Sequence, residues 1–204
     1  MIAVIDYEMG NLRSVQKAFE TAGCKAVVTR ERRTIEEASH VVLPGVGAFA
    51  DCMANLERYD LVEPIRRSIA AGKPFLGICL GLQLLFSESE EFGLHKGLDL
   101  IPGRVRRFPS DGTGLKVPHM GWNALTITKP APALRGVETG AYVYFVHSYV
   151  VEPREASVAS SLTEYGQPFV SSIWRDNVFA CQFHPEKSQS VGLRIIKNFA
   201  EWRP

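Results

Sequence analysis

The chain has 204 residues, of which 46% are hydrophobic and 22% charged, and its formal net charge is +1. This balance is typical of a soluble globular protein, and the length predicts a single domain over residues 1–204. The near-neutral charge disfavours a dedicated nucleic-acid or membrane-surface binder, and no apolar run approaches the roughly 20 residues of a membrane helix. The start, Met1–Asp6, has the pattern of a strand rather than a signal peptide, so we expect a cytoplasmic protein.

The four cysteines, Cys24, Cys52, Cys79 and Cys181, form neither a CxxC pair nor a zinc-like cluster with histidine. Free thiols in a reducing compartment are the simplest interpretation. Most of them are expected to fill apolar space. The sequence therefore predicts no metal and no cofactor.

The first half of the chain alternates between strand and helix patterns. Ile2–Asp6 is an apolar run, and beyond Asn11, a candidate N-cap, apolar residues recur at helical spacing as far as Gly23. Further strands are predicted at Ala26–Thr29, His40–Leu43 and Phe75–Ile78, and helices at Phe49–Glu57, Leu61–Ala71 and Leu80–Phe86. This order predicts an α/β fold with a doubly wound, mostly parallel sheet flanked by helices.

After about Pro102 the pattern changes to closely spaced strands. They are predicted at Val105–Phe108, Leu125–Thr128, Ala141–Val151, Val158–Leu162, Phe169–Trp174 and Val178–Phe183. Such a run favours an antiparallel extension of the same sheet. A helix over Ser188–Glu201 is predicted to close the chain, and Asp111–Gly114 is expected to form a surface turn.

The strongest local motif is Gly77-Ile-Cys79-Leu-Gly81, which lies between a predicted strand and a predicted helix. It is the nucleophile-elbow pattern with cysteine in place of serine. The glycines permit close approach of strand and helix, the Leu80 N–H points at a developing oxyanion, and the helix N-terminus favours a thiolate. A buried structural cysteine in an ordinary βα turn is the alternative that the pentapeptide alone leaves open.

A thiol nucleophile needs a base, and the chain has five histidines. His184 follows a predicted strand, and Glu186 lies two residues on, across a proline that stiffens the turn. The carboxylate can accept from one imidazole nitrogen while the other faces Cys79; a surface His-Pro-Glu turn is the alternative. His40 and His147 lie in apolar strand contexts and are expected to be hydrogen-bonded core histidines.

A third motif, Pro44-Gly-Val-Gly47, follows the predicted strand His40–Leu43. Two glycines separated by one residue allow unusual backbone dihedrals and close approach to a ligand, although a simple βα turn is the alternative. A dinucleotide-binding fingerprint is excluded, because no third glycine follows at the required position.

Together the three motifs resemble the class I, or triad, glutamine amidotransferases, which pair a GxCxG elbow with a downstream His-Pro-Glu. Further segments narrow the resemblance to the glutaminase subunits of imidazole glycerol phosphate synthase: Asp6–Val15, Pro44–Phe49, Gly77–Gln83, His119–Asn123 and Tyr144–Tyr149. The resemblance spans the chain from its first strand to its last motif, and it implies a flavodoxin-like doubly wound sheet.

The resemblance implies that glutamine is hydrolysed to glutamate through a glutamyl thioester on Cys79, with His184 as acid–base and Glu186 as its orienter. Val46 and Leu80 are implied to offer oxyanion N–H groups, and a backbone flip in Pro44–Gly47 to switch Val46 on. Ammonia is implied to pass to a cyclase subunit, the partner in a heterodimer. That subunit makes imidazole glycerol phosphate and aminoimidazole carboxamide ribotide in histidine biosynthesis.

Other positions match residues with assigned roles in the family. Those that match glutamine-holding positions are Gly47, Gln83, Glu91, Ser148 and Tyr149. Those that match the partner interface or the ammonia path are Trp122, Tyr144 and Lys187. Glu8 and Ser148 depart from the residues found in some relatives, and neither belongs to the triad.

Three rival functions stay open on the sequence: a cysteine peptidase or hydrolase on a similar elbow, a glutaminase that serves another synthase, and a degenerate binding module. Glutaminases of other synthases usually carry a different loop where this chain has Pro44–Gly47, and lack Tyr144–Tyr149. A degenerate module should have lost Cys79, His184 or Glu186, and all three are present.

Overall fold

The structure, a computed structural model, describes residues 1–108 and 115–204, so the turn expected at Asp111–Gly114 lies outside the described residues. The strands are β1 (Ile2–Ile5), β2 (Ala26–Thr29), β3 (His40–Gly45), β4 (Phe75–Cys79), β5 (Phe86–Ser89), β6 (His95–Lys96), β7 (Ile101–Arg107), β8 (His119–Ala124), β9 (Thr126–Ile127), β10 (Tyr142–His147), β11 (Tyr149–Pro153), β12 (Ala159–Tyr165), β13 (Gln167–Arg175) and β14 (Val178–Cys181). The helices are α1 (Leu12–Thr21), α2 (Arg32–Glu37), α3 (Phe49–Arg58), α4 (Val62–Ala70), α5 (Leu80–Gln83) and α6 (Gln189–Glu201).

The main sheet has the strand order β2-β1-β3-β4-β14-β13-β11-β7-β5-β6, and β12 and β9 pair beside β13. Neighbours from β2 to β14 are parallel, whereas β13 pairs antiparallel with β14 and with β11. β8 and β10 form a separate two-stranded antiparallel sheet. The predicted α/β fold, with a parallel half and an antiparallel extension, is confirmed.

The apolar core lies on both faces of the parallel half, because successive side chains of a strand point to opposite faces. In β1, Ile2 and Val4 belong to the cluster that contains α1 and α6, and Ala3 and Ile5 to the cluster that contains α3 and α4. Burial on both faces explains why β1 appears in the sequence as a continuous apolar run. No helix among the described residues is long and apolar enough to cross a lipid bilayer.

The helix predicted over Leu80–Phe86 is wrong in its second half. α5 ends at Gln83, and Phe86 begins β5, which runs parallel to β7. The Leu85 carbonyl accepts the N–H groups of Leu100 and Ile101, each at 2.9 Å. Pairing with the following segment therefore ends the helix, and an apolar run alone does not distinguish a buried helix from a buried strand.

The single strand predicted over Ala141–Val151 is two strands that separate at Ser148. β10 pairs with β8 in the small sheet, whereas β11 pairs with β7 in the main sheet. At the crossing, the Ser148 carbonyl accepts the Phe108 N–H at 2.9 Å. Neither glycine nor proline marks this change of sheet.

Among the strands and helices given above, four were not predicted as such: α2, β5, β6 and β8.

The parallel strands place three of the sequence motifs at one edge of the sheet. β3, β4 and β14 are neighbours, and their carboxyl ends lead to Val46, Cys79 and His184 respectively. Crevices outside the carboxyl ends of parallel strands are where open α/β sheets bind ligands.

Candidate active site

Cys79 ends β4 with φ 55° and ψ −107°, a conformation that L residues rarely adopt and that costs roughly 1–3 kcal/mol. The elbow glycines make this turn possible. A Cβ on Gly81 would lie 1.9 Å from the Leu43 carbonyl oxygen, and a Cβ on Gly77 would lie 2.7 Å from the Gly81 carbonyl oxygen. The close approach of strand and helix that the motif predicted is therefore confirmed.

His184 and Glu186 form a buried pair just beyond β14. His184 Nδ1 lies 2.8 Å from Glu186 Oε1, and the two side chains are 2% and 1% exposed. Burial lowers the pKa of His184, but the negative charge of Cys79 and the charge and hydrogen bond of Glu186 outweigh it and raise the pKa to about 10. Among the described residues, His184 Nε2 has no hydrogen-bond partner of normal geometry. The imidazole therefore shares the cavity with Cys79 and responds to its charge without a hydrogen bond of normal geometry to the sulfur, as is common before substrate binds.

The His-Pro-Glu turn is fixed by β10. The His184 N–H donates to the Tyr144 carbonyl at 2.9 Å, and the Ser188 hydroxyl accepts the Tyr144 N–H at 3.0 Å. The same hydroxyl donates to the His184 carbonyl at 2.6 Å. Residues Pro185–Lys187 form a 3₁₀ turn. The position of the histidine thus depends on the small sheet as well as on β14.

A cavity of about 310 Å³ opens beside Cys79 and His184. The other predicted site residues that line it are Val46, Gly47, Leu80, Gln83, Glu91, Ser148 and Tyr149. The structure therefore brings together the predicted nucleophile, the predicted base, both predicted oxyanion positions and all predicted glutamine-holding positions. Such a volume is at the small end for ligand pockets, which suits a metabolite of amino-acid size.

Glu91 and Gln83 give the cavity its polar character. One carboxylate oxygen of Glu91 accepts the Phe49 N–H at 2.6 Å, which fixes the side chain. Gln83 Nε2 donates to the Tyr149 carbonyl at 3.2 Å and to Gln182 Oε1 at 3.0 Å. Both N–H groups of the Gln83 amide are thereby used within the protein, and its carbonyl oxygen is the part suited to a ligand donor. A ligand with an ammonium group fits beside these oxygen acceptors.

Two buried donors hold the Pro44–Gly47 segment. Tyr7 Oη donates to the Pro44 carbonyl at 2.7 Å, and the Cys52 thiol donates to the Val46 carbonyl at 3.6 Å. Burial raises the pKa of Cys52 to about 12, so this side chain remains a thiol donor. The bond from Cys52 holds the Val46–Gly47 peptide, whereas the Val46 N–H belongs to the Gly45–Val46 peptide, so a flip that turns this N–H reorients the Gly45 carbonyl. The backbone flip stays a prediction.

The three residues predicted for the partner interface or the ammonia path lie together on one surface. The Trp122 and Tyr144 rings are 6.1 Å apart, and Lys187 Nζ lies 5.8 Å from the centre of the Tyr144 ring. Trp122 is 45% exposed and Met120, on the same strand, is 62% exposed. This aromatic and cationic surface adjoins the His-Pro-Glu turn, and its role as an interface stays a prediction.

His147 and His119 form a buried pair beside the cavity. His147 Nδ1 donates to the Tyr149 carbonyl at 2.8 Å, so in the neutral ring Nε2 accepts from His119 Nδ1 at 3.0 Å. His119 Nε2 in turn accepts from the Asn123 amide at 3.2 Å. Burial lowers the pKa of His147 to about 3 and that of His119 to about 4. The core interpretation is confirmed for His147, and for His40, which is buried and bonded to the Trp202 carbonyl.

The histidine pair predicts acid sensitivity that begins near neutral pH. The unfolded chain takes up protons below the ordinary histidine pKa of 6.5, whereas the native rings stay neutral down to about 4 and about 3. As the pH falls from 6.5 to 5, each ring should therefore lower the free energy of unfolding, with a slope that rises from about 0.7 toward about 1.4 kcal/mol per pH unit. Denaturant unfolding at several pH values measures this slope. A His119→Gln variant should give a shallower slope and His95→Gln the wild-type slope; equal slopes in all three proteins would contradict the prediction.

Four residues at the site were not predicted. Pro118, Val146 and His147 line the cavity, and Gln182 Nε2 lies 3.7 Å from the Cys79 sulfur. Gln182 does carry a sequence signal, because it lies two residues before His184 and alternate residues of an extended segment share a side. Val146 contacts the Cys79 thiol through its backbone carbonyl at 3.9 Å, a contact that no residue type signals.

Comparison with known proteins identifies the family of the chain. The family model described as glutamine amidotransferase class-I matches residues 3–202. The chain belongs to the class-I glutamine amidotransferase family, as the motifs predicted.

Among curated proteins, the chain is 60% identical to the imidazole glycerol phosphate synthase subunit HisH of Syntrophotalea carbinolica, over 98% of this chain and 100% of that protein. It is 58% identical to the subunit of the same name from Geobacter sulfurreducens, over 99% of each chain. Among solved structures, PurLQS from Thermotoga maritima aligns with a TM-score of 0.75 at 17% identity, covering 97% of this chain and 96% of that one. The last comparison shows a shared fold.

Proposed function

We propose that this chain, as one glutamine amidotransferase domain over residues 1–204, is the glutaminase subunit of imidazole glycerol phosphate synthase. It hydrolyses glutamine and delivers ammonia to a cyclase subunit for histidine biosynthesis. The observation that carries the proposal is the meeting of Cys79 and the His184–Glu186 pair at one cavity that also holds the Glu91 carboxylate. Similarity along the whole chain to subunits named HisH supports this synthase over others.

In the proposed reaction, the α-ammonium group of glutamine lies beside Glu91 and its side-chain amide beside Cys79. His184 takes the thiol proton, and the sulfur attacks the amide carbon to form an S–C bond. The Leu80 N–H, at the start of α5, and the Val46 N–H stabilise the resulting oxyanion. When the C–N bond breaks, His184 returns the proton to the leaving ammonia.

Water completes the proposed cycle. His184 takes a proton from water, hydroxide adds to the thioester carbon, and the S–C bond breaks to release glutamate and restore the thiol. Glu186 holds the imidazole through Nδ1 and stabilises its cation in both halves of the reaction. All groups required for these steps are side chains or backbone amides of this chain.

The surface formed by Trp122, Tyr144 and Lys187 is the proposed docking site of the cyclase. Its apolar rings suit a protein partner, and Lys187 suits a carboxylate on that partner. The four cysteines are unpaired thiols, which suits a reducing compartment such as the cytoplasm.

The experiment that tests the proposal compares glutamine turnover by the lone chain, by its complex with the cyclase, and by the complex with cyclase substrate or product. We expect a poor glutaminase that the liganded complex activates, by roughly 10²–10³ if one oxyanion donor is gained. Glutamate release by a chain that forms no complex with the cyclase would favour another synthase, and peptide cleavage without glutamate release would favour a peptidase. Similar rates in all three samples would contradict only the proposed activation of the glutaminase by its partner, and would leave the roles of Cys79, His184 and Glu186 standing.

Tyr7 offers a second test of the proposal that the Pro44–Gly47 segment keeps the lone chain in a less active state. Tyr7→Phe removes the donor to the Pro44 carbonyl but keeps the buried ring, so the Pro44–Gly47 segment is freer to reorient. The lone variant should turn over glutamine faster than the lone wild type, by about fivefold if a hydrogen bond of roughly 1 kcal/mol holds the resting orientation. Tyr59→Phe, at the residue that follows α3, is a matched control. A slower lone Tyr7→Phe variant would show that Tyr7 supports the active orientation instead.

A further inference from the structure

Gln182 is a fully buried amide that contacts the nucleophile and has no role in the mechanism above. It directly follows β14, and its Nε2 atom lies 3.7 Å from the Cys79 sulfur, within reach of an N–H···S hydrogen bond. Its backbone N–H donates to the Ser171 carbonyl at 2.9 Å, which fixes the main chain at this point. A buried amide placed against a reactive sulfur calls for a chemical explanation.

The direction of the Gln182 amide is set by its neighbour. Gln83 Nε2 donates to Gln182 Oε1 at 3.0 Å, so the oxygen end of Gln182 faces Gln83 and the N–H end faces the sulfur. The reverse orientation would place the N–H end of Gln182 against the N–H end of Gln83. Gln83 cannot readily turn over either, because its Nε2 also donates to the Tyr149 carbonyl.

The hydrogen-bond network that contains Gln182, Gln83 and the Tyr149 carbonyl extends to two histidines and an asparagine. The Tyr149 carbonyl accepts from His147, which accepts from His119, which accepts from Asn123. The Asn123 amide nitrogen also donates to the Glu164 carbonyl, so its orientation is fixed as well. The donor of every hydrogen bond in this network is therefore determined. The last donor, Gln182 Nε2, faces the Cys79 sulfur.

An N–H dipole directed at sulfur stabilises the thiolate more than the thiol, because hydrogen bonds to charged acceptors are stronger. We propose that Gln182 is a further catalytic residue of this site, which donates a hydrogen bond to the Cys79 thiolate, and that Gln83 and the Tyr149 carbonyl position its amide. The reaction step rests on the proposed function, whereas the contact with the sulfur does not. The thiolate is the attacking group in the first half of the reaction and the leaving group in the second, and Gln182 acts on both.

The test is the pH dependence of Cys79 alkylation by iodoacetamide, followed on the Cys79 peptide by mass spectrometry. Gln182→Met keeps the length of the side chain but removes the N–H donor. Below the midpoint of the profile, Cys79 in this variant should react about tenfold more slowly, the thiolate loss expected for one charge-assisted hydrogen bond. Glutamine turnover should also fall about tenfold, with little change in KM.

Two further variants keep the test decisive. Gln182→Glu retains an oxygen that can accept from Gln83 and replaces only the N–H donor. Below the midpoint of the profile, Cys79 in this variant should react even more slowly than in Gln182→Met. The same variant tests the inference if Gln182→Met folds poorly. Asn198→Leu removes a buried amide of α6 that bonds the Ala133 and Arg135 carbonyls, and it should leave the profile unchanged. Wild-type profiles in both folded Gln182 variants would overturn the inference. Because alkylation needs no glutamine, this result is independent of whether the wild type is a glutaminase.

Discussion

Replacing Cys79 with alanine is expected to abolish glutamine hydrolysis and to leave the fold intact. Without the sulfur no thioester can form, and the loss should be on the order of 10⁶, the scale observed when a hydrolase loses its nucleophile. The other two buried thiols offer no substitute: Cys52 donates to the Val46 carbonyl and Cys181 to the Phe183 carbonyl, and burial raises the pKa of each. Glutamate release by the complex with the cyclase measures the effect.

Two controls separate loss of chemistry from loss of structure in the Cys79→Ala variant. Cys24→Ala removes a partly exposed thiol outside the cavity and should retain full turnover. Ammonium salts should still support synthesis by the Cys79→Ala complex, because the cyclase needs only the nitrogen. Glutamine hydrolysis at a comparable rate in Cys79→Ala would remove Cys79 from the role of nucleophile.

Replacing His184 with alanine should cost glutaminase activity by a factor on the order of 10³ or more. The variant has no group to take the thiol proton, and the Glu186 carboxylate is left buried without its partner. The second effect predicts a loss of stability as well, roughly 3–5 kcal/mol for breaking a buried pair. Turnover must therefore be measured per folded molecule, with the fold checked by denaturant unfolding.

Glu186→Gln separates orientation from charge at the same pair. An amide can still accept from His184 Nδ1 but cannot stabilise the imidazolium, so the loss should be smaller than for His184→Ala. His95→Ala, on β6 at the far edge of the sheet, should retain full turnover. Wild-type turnover in Glu186→Gln would exclude Glu186 from the mechanism.

The parallel half of the fold was predictable because each buried strand is a short apolar run. β2 has the predicted bounds, and β1, β3 and β4 differ from their predicted bounds by one or two residues. What escaped prediction depends on partners distant in sequence. β5 is a strand because β7 lies beside it, and the chain changes sheet at Ser148 because Phe108 and β7 receive it there.

The residues of the candidate site also fall into those that the sequence predicts and those that it does not. Cys79, His184 and Glu186 follow from chemistry at fixed spacing, since a thiol at an elbow needs a base and the base needs an acceptor. Glu91, Ser148 and Tyr149 came only from the family resemblance, because nothing local distinguishes them. Gln182 carries one sequence signal, its position two residues before His184, but its contact with the sulfur is seen only in the structure.

The small sheet connects the outer surface of the protein to the predicted base, His184. Trp122 and Tyr144 are paired across β8 and β10, and Tyr144 is tied through its backbone to His184 and Ser188. Cys79, in contrast, is anchored in the centre of the main sheet. β10 also contacts the Cys79 sulfur through the Val146 carbonyl, so a displacement of the small sheet at Trp122 would act on both predicted reacting groups.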